Sequence, residues 1–245
     1  MTEHPLPGNV TTGVVRAGDT VRRPAGPWTD AVDTVLAYLC DVGFRGAPRP
    51  LGRDERGRQV LTYVPGDTGA EEGLYALAEL RELGQMLREL HDALAGFTPP
   101  PAATWQRFIA PDREELVCHN DVAPWNLVRA EHGWVLIDWD ATGPSSRSWD
   151  LAYAFQTTAG LRADRPLAES AARLRAFTDG YGLDDRQRAE LPAFLAGRAR
   201  AMHDFLRVNA HRPPWNRIWA EDGAYWGATA AHLETHRTLW REALT

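Results

Sequence analysis

A two-lobed α+β protein is the architecture this sequence predicts: a small antiparallel sheet first, then a larger, mainly helical part. Three observations carry that expectation. Residues 1–64 break into short strand-like runs around one amphipathic helix. The segment "PGDTGAEEG" then interrupts the pattern. From about residue 73 onward the long segments carry a helical period, apart from one apolar stretch with a turn in it. The predicted units are therefore residues 1–64 and 65–245, joined near residues 64–67.

Each element has its own signal. "TTGVVRAG" and "DTVRR" are short runs joined by Ala17-Gly18-Asp19, a hairpin signal. "GPWTDAVDTVLAYLCDVG" has Pro27 and Thr29 as start signals, Gly43 as a stop, and Val32, Val35, Leu36 and Leu39 on one face, which predicts a helix. "RPLGRDERGRQVLTYV" reads as two strands with a turn at Asp54 to Gly57. "LYALAELRELGQMLRELHDALAG" spaces Leu74, Leu77, Leu80, Met86, Leu87, Leu90 and Leu94 for a helix ending at Gly96. "ELVCH" is an apolar strand, and "LVRAEHGWVL" is two strands around Glu131-His132-Gly133. "ELPAFLAGRARAMHDFLRV" and "AYWGATAAHLETHRTLWREAL" are amphipathic helices, the second through Trp226, Ala230, Leu233, Trp240 and Leu244. No internal repeat or low-complexity tract is found.

Composition narrows the function classes. With 24% charged and 44% hydrophobic residues the chain has an ordinary globular balance. A net charge of -6 speaks against a nucleic-acid partner, whose phosphates call for a basic surface. No apolar run approaches the roughly 20 residues of a membrane span, and "MTEHPLPGNV" has no signal pattern, so a cytoplasmic location is expected. Cys40 and Cys118 sit at no metal-ligand spacing, and a disulfide is not expected. All 27 basic residues are arginine and none is lysine. No Walker-A lysine, Schiff base or lysine general base can exist here, and a cation gripping a phosphate must be an arginine.

The chemistry concentrates in "HNDVAPWN", residues 119–126, and "IDWD", which the strand–turn–strand segment should fold back beside it. A lone Asp-Asn loop usually caps a turn, and an "IDWD" by itself is a strand ending in solvated carboxylates. Their combination is harder to explain that way, because it adds an apolar strand before the loop, a tight hairpin and a helix opening at "WDLA". Phosphoryl transfer explains the residue types. Nucleotide phosphates need divalent cations held by hard oxygen ligands, and Asn126 and Asp138 supply such oxygens. Asp121 would stay off the metal and deprotonate a substrate hydroxyl, with Pro124 stiffening the loop between Asp121 and Asn126.

"HNDVAPWNLV" followed by "VLIDWDATGPSSRSWDLAYAF" resembles the aminoglycoside phosphotransferase and choline kinase-like superfamily, a branch of the protein-kinase-like fold. The likeness is specific over residues 115–155 and weaker over the first lobe. It implies Asp121 as catalytic base, Asn126 and Asp138 as Mg2+ ligands, His119 as a brace for the loop, and Asp140 as an assistant to the metal or a substrate contact. It also implies Asp150 as a buried carboxylate that hydrogen-bonds the catalytic loop. The nucleotide, ATP or GTP, should lie between the lobes, near Gly8 and Asn9 of "PGNVTTG", with its base against the backbone of Thr62, Tyr63 and Val64. The lysine of such folds falls at Arg22, with Arg23 the alternative. The usual glutamate on the next helix is missing, with Asp33 better placed than Asp30 to replace it.

The expected activity is transfer of a γ-phosphate to a hydroxyl of a small metabolite or antibiotic. A catalytically silent nucleotide-binding module is the second reading, suggested by the altered lysine and glutamate positions; a metal-dependent phosphoesterase is the third and leaves the small lobe unexplained. From residue 151 onward 11 Asp or Glu face 13 Arg, so no acidic surplus favours a polycationic acceptor. Trp215, Trp219, Tyr225 and Trp226 read as core, and "VNAHRPPWNRIWAEDG", which interrupts two helices with His211, Arg212, Trp215 and Asn216, reads as a substrate loop.

Overall fold

The computed structural model describes residues 2–8, 10–69 and 75–244. Two of the residues singled out above, Asn9 and Leu74, lie outside these. In chain order the first strands are β1 (His4–Pro5), β2 (Val15–Ala17) and β3 (Thr20–Arg23). Helix α1 (Thr29–Asp41) follows, then β4 (Pro50–Arg53) and β5 (Gln59–Thr62). These five strands form one antiparallel sheet in the order β1-β2-β3-β5-β4. The β2–β3 hairpin turns at Gly18, which takes a φ of 62° that its missing Cβ makes accessible. Between β4 and β5, the Asp54 carboxylate accepts the amides of Arg56 and Arg58 at 2.9 Å each, closing the predicted turn. Helix α1 buries the predicted face of Val32, Val35, Leu36 and Leu39.

Strand β6 (Asp67–Thr68) belongs to the second part of the chain: it pairs with β8 (Leu127–Ala130), which pairs in turn with β9 (Gly133–Leu136). The switch of sheet falls across residues 63–66, in the predicted linker. Between β6 and β8 come α2 (Leu77–Leu94) and β7 (Leu116–Cys118). After β9, β10 (Gly143–Ser145) lies antiparallel to β7. The rest is helical: α3 (Arg147–Ala154), a π-helical turn at Phe155–Ala159, α4 (Leu167–Tyr181), α5 (Asp185–Asn209), α6 (Trp215–Thr235) and α7 (Arg237–Leu244).

Helix α2 starts four residues later than the leucine period suggests, and Leu77 is 41% exposed at its first turn. Leu80, Met86, Leu87, Leu90 and Leu94 are buried as predicted. The helix lies close against α4 because two glycines let the backbones approach. A Cβ on Gly84 would collide with the Phe177 carbonyl, and one on Gly180 with the Arg81 carbonyl. Buried Arg173 on α4 donates to the carbonyls of Tyr75 (2.8 Å) and Ala159 (2.7 Å), tying the approach to α2 to the end of the π-helical turn. Cys40 and Cys118 are both free thiols, one exposed and one buried. No described helix is long and apolar enough to cross a membrane.

Candidate active site

The loop after β7 carries the first cluster, and its conformation is set by a few buried hydrogen bonds. Asn120 adopts a left-handed φ of 66°, a region that Asn tolerates better than most residues. Its side-chain amide donates to the Ala141 and Gly143 carbonyls at 3.2 Å each, and its backbone N–H to Asp150 Oδ1 at 2.7 Å. Asp150 Oδ2 meets His91 Nε2 at 3.0 Å, and His91 Nδ1 meets the Tyr181 hydroxyl at 2.8 Å. Asp150, His91 and Tyr181 are all almost fully buried, so the loop is anchored to α2, α3 and α4 at once. The cap of α3 is Ser146, whose Oγ accepts the Trp149 amide at 3.2 Å, which leaves Asp150 free for the loop.

His119 is wholly buried. Its Nδ1 accepts the Asp121 amide at 3.2 Å, so its Nε2 carries the proton and donates to the Ile137 carbonyl at 3.1 Å. Burial lowers its pKa, which keeps the ring neutral. One imidazole thus joins the loop before Asp121 to the strand that leads to Asp138.

The β8–β9 hairpin, registered Leu127↔Leu136 and Val128↔Val135, returns the second cluster to the first. Asn126 Nδ2 donates to the Asp121 backbone carbonyl (2.9 Å) and to Asp121 Oδ2 (2.8 Å). Both hydrogen bonds of that amide run through its nitrogen, so its oxygen is the available ligand atom. Asp138 follows β9 in a left-handed conformation, φ 58°, with its carboxylate 44% exposed. Burial, and after it the negative charge of Asp138, raises the pKa of Asp121 to about 7. Hydrogen bonds from Tyr153 and Asn126 pull the other way but do not cancel those effects.

The cation that reaches this centre is Arg23 and not Arg22. Successive residues of a strand face opposite sides of the sheet, so only one of the pair can face the second lobe. Arg23, 5% exposed, puts Nη2 at 2.8 Å from Asp138 Oδ1 and also pairs with Asp140 Oδ2. Arg22 lies on the other side, with its Nη1 3.7 Å from Asp54 and 3.9 Å from Glu3. Asp33 is likewise directed elsewhere, to Arg53 and to Gln59 Nε2 at 2.5 Å each. Asp30 also pairs with Arg53, at 2.6 Å.

Asp140 has its oxygens engaged by the first lobe. Besides Arg23 it accepts from the Trp28 indole N–H at 3.0 Å and the Thr11 hydroxyl at 3.2 Å, so it fastens the lobes together. Burial raises its pKa in spite of Arg23. Gly8 is exposed, and a Cβ on it would collide with the Thr11 carbonyl three residues on. Of the three residues expected to receive the base, Thr62 and Tyr63 commit their amides to the Arg49 (3.0 Å) and Asp19 (2.9 Å) carbonyls; the Val64 amide takes no part in those bonds.

A cavity of about 240 Å3 opens beside Asp121, lined among others by Phe108, Trp125, Tyr153, Arg198, Trp215 and Trp226. The sequence reading missed most of it. Trp226 is buried as expected and stacks on Tyr153 with centroids 6.0 Å apart, yet the pair also walls the cavity. Of the expected substrate segment, residues 208–223, Trp215, Arg217, Ile218, Glu221 and Asp222 line it, whereas His211, Arg212 and Asn216 do not. The findable signal was Trp125, an exposed tryptophan in the middle of the motif loop.

Comparison with known proteins agrees with this geometry. The model of a family described as "Phosphotransferase enzyme family" matches residues 101–194, the stretch that holds both clusters. The trifolitoxin immunity protein of Rhizobium leguminosarum bv. trifolii is 33% identical over 90% of this chain and 93% of its own length. Among solved structures, an amicoumacin kinase in complex with AMP-PNP and Ca2+ superposes with a TM-score of 0.72 at 14% identity, covering 95% of this chain and 88% of that one. A microcompartment-associated aminopropanol kinase gives 0.69 at 16%, covering 100% and 94%. The fold is the bilobal, kinase-like one, and the chain belongs to the phosphotransferase enzyme family.

Proposed function

We infer that this protein is a small-molecule kinase that transfers the γ-phosphate of ATP or GTP to a hydroxyl of a metabolite or antibiotic. The observation that carries the reading is the meeting of Asp121, Asn126, Asp138 and Arg23 at one point between the lobes. The relative named as a trifolitoxin immunity protein favours an antibiotic or a related compound as acceptor.

The donor set fits a divalent cation. Asn126 contributes a neutral amide oxygen and Asp138 an exposed carboxylate, the hard ligands that Mg2+ takes alongside nucleotide phosphates. Bound there, the ion would offset the charge of the transferred phosphoryl group. The chain's own residues do the rest. Arg23, already inside the cleft, exchanges a carboxylate for a phosphate and offers two parallel N–H donors to it. Asn126 and Tyr153 hold the Asp121 carboxylate in place by hydrogen bonds. Asp121 accepts the acceptor's hydroxyl proton as its oxygen bonds to the γ-phosphorus; the bond from phosphorus to the β–γ bridging oxygen breaks, and the nucleoside diphosphate leaves. The Val64 amide and the loop around Gly8 are the positions proposed to receive the base and cover the phosphates.

Turnover of Asp121→Asn with a confirmed acceptor tests the assignment. General-base assistance is typically worth ~10²–10⁴-fold, so kcat should fall by about that order while magnesium–nucleotide affinity, read by calorimetry, stays near the parent's. Full activity in the variant would reduce the loop to a structural turn. Lost nucleotide affinity in a folded variant would make Asp121 a metal ligand instead. A silent nucleotide-binding module predicts affinity with no turnover in the parent.

A further inference from the structure

The cavity beside Asp121 contains a buried cation that no carboxylate contacts directly, although Asp121 and Asp150 act on it from farther away. Arg198 on α5 is 4% exposed, and its Nε and Nη1 are buried with no hydrogen-bond partner. Its guanidinium packs over the Tyr153 ring at 4.4 Å and lies 5.8 Å from that of Trp149. Burial lowers its pKa, but a guanidinium starts so high that it stays charged. Unpaired buried N–H groups on a charged side chain cost free energy, and such groups collect where a ligand completes them.

Two other cations lining the cavity are already paired. Arg107 pairs with Glu114 at 2.5 Å, and Arg217 with Glu221 at 2.7 Å. Asp222, on α6, lines the same cavity, and burial raises its pKa. A cationic acceptor would find Arg198 facing it. Tyr153 donates to Asp121 and stacks under Arg198, so the base and the guanidinium flank a single ring. A group held by Arg198 therefore sits only a few bonds from a hydroxyl held by Asp121.

The geometry points to an acceptor that carries a carboxylate close to its reacting hydroxyl, with Arg198 gripping the carboxylate and Trp149, Tyr153 and Trp226 enclosing its carbon skeleton. This assignment of substrate class rests on the kinase reading above and sets the chain apart from kinases whose acceptors are amino alcohols.

The test is calorimetric binding to the full chain saturated with magnesium and AMP-PNP. The probes are short aliphatic and aromatic hydroxy acids, their methyl esters, choline and an aminoglycoside. At least one acid should bind, and its ester should bind at least ~10-fold more weakly, the size of one charge-assisted hydrogen bond lost. Arg198→Met should erase the preference of acid over ester, and Arg198→Lys should restore part of it. A merely structural arginine would weaken both ligands together and leave their ratio unchanged. Equal binding of acid and ester, preference for choline or the aminoglycoside, no binding of any acid, or an acid preference that survives in Arg198→Met would each overturn the proposal. Should Arg198→Met fail to fold, the comparison of acid with ester on the parent chain decides alone. The kinase reading fails separately, by absence of magnesium–AMP-PNP binding.

Discussion

Asp121 combines burial, a nearby carboxylate and two hydrogen-bond donors, and the balance puts its pKa at about 7. A base works only when ionised, so kcat/KM should fall about tenfold per pH unit below that value. With the charge of Asp138 neutralised in the nucleotide complex, the acid limb of kcat should lie lower than that of kcat/KM, and pH–rate profiles read both. Stability should move in the opposite sense to activity. The folded-state pKa lies above the unfolded one, so the folded protein holds the proton more tightly between about pH 4 and 7. That contribution is fully present below about 4 and lost as pH rises through 7. Asp121→Asn, which never ionises, should therefore gain stability over the parent as pH rises from 5 to 8, measured by urea denaturation at both. The arginine pair gives a second residue-scale outcome: Arg23→Ala should weaken nucleotide binding strongly, and Arg22→Ala should leave it near the parent's. The reverse result in calorimetric titration would return the role to Arg22. The sequence could not separate the two, because "TVRR" ends in two like residues and carries no alternation from which to read its phase. The register with β5 supplies that phase.

At the scale of elements, what could be read locally was legible. The β2–β3, β4–β5 and β8–β9 hairpins announce themselves through turn chemistry, and α1 through its caps. Strands β1, β6 and β10 were not visible, since two or three residues carry no period and partners far along the chain fix their pairing. His91 was equally hidden: within a leucine-rich helix it looks like one more core position, and its bond to Asp150 across 59 residues exists only in the fold. The same holds for Arg198, one arginine in the run "GRARA" with nothing to mark it as the inward one. The α2–α4 contact offers a test of packing. Gly84→Ala should improve helix propensity yet destabilise the protein by about 1–3 kcal/mol, because the added Cβ forces the two backbones apart. Thermal denaturation of Gly84→Ala beside an exposed alanine control on α2 would check the sign.

For the molecule as a whole, the order of small sheet, linker and helical part was legible because each segment's period differs from the next. The relation between the parts was not, since it depends on side chains more than a hundred residues apart finding one another, 112 to 129 positions in the four contacts at Asp138 and Asp140. That relation includes the ion pairs of Arg23 with Asp138 and Asp140, the Trp28 and Thr11 contacts, and the Tyr38 hydroxyl donating to the Ala93 carbonyl at 3.1 Å. Seen as an exchange equilibrium, this junction is one guanidinium shared by two carboxylates, which a nucleotide and a divalent ion rearrange together. Phosphate arriving alone would draw Arg23 away and leave Asp138 next to more negative charge; metal arriving alone would take Asp138 and leave Arg23 with Asp140 only. Each ligand thereby lowers the cost of admitting the other, and the coupling is reciprocal. Titrating nucleotide at rising magnesium, and magnesium at rising nucleotide, should give the same enhancement factor, and that factor should shrink toward one in Arg23→Ala.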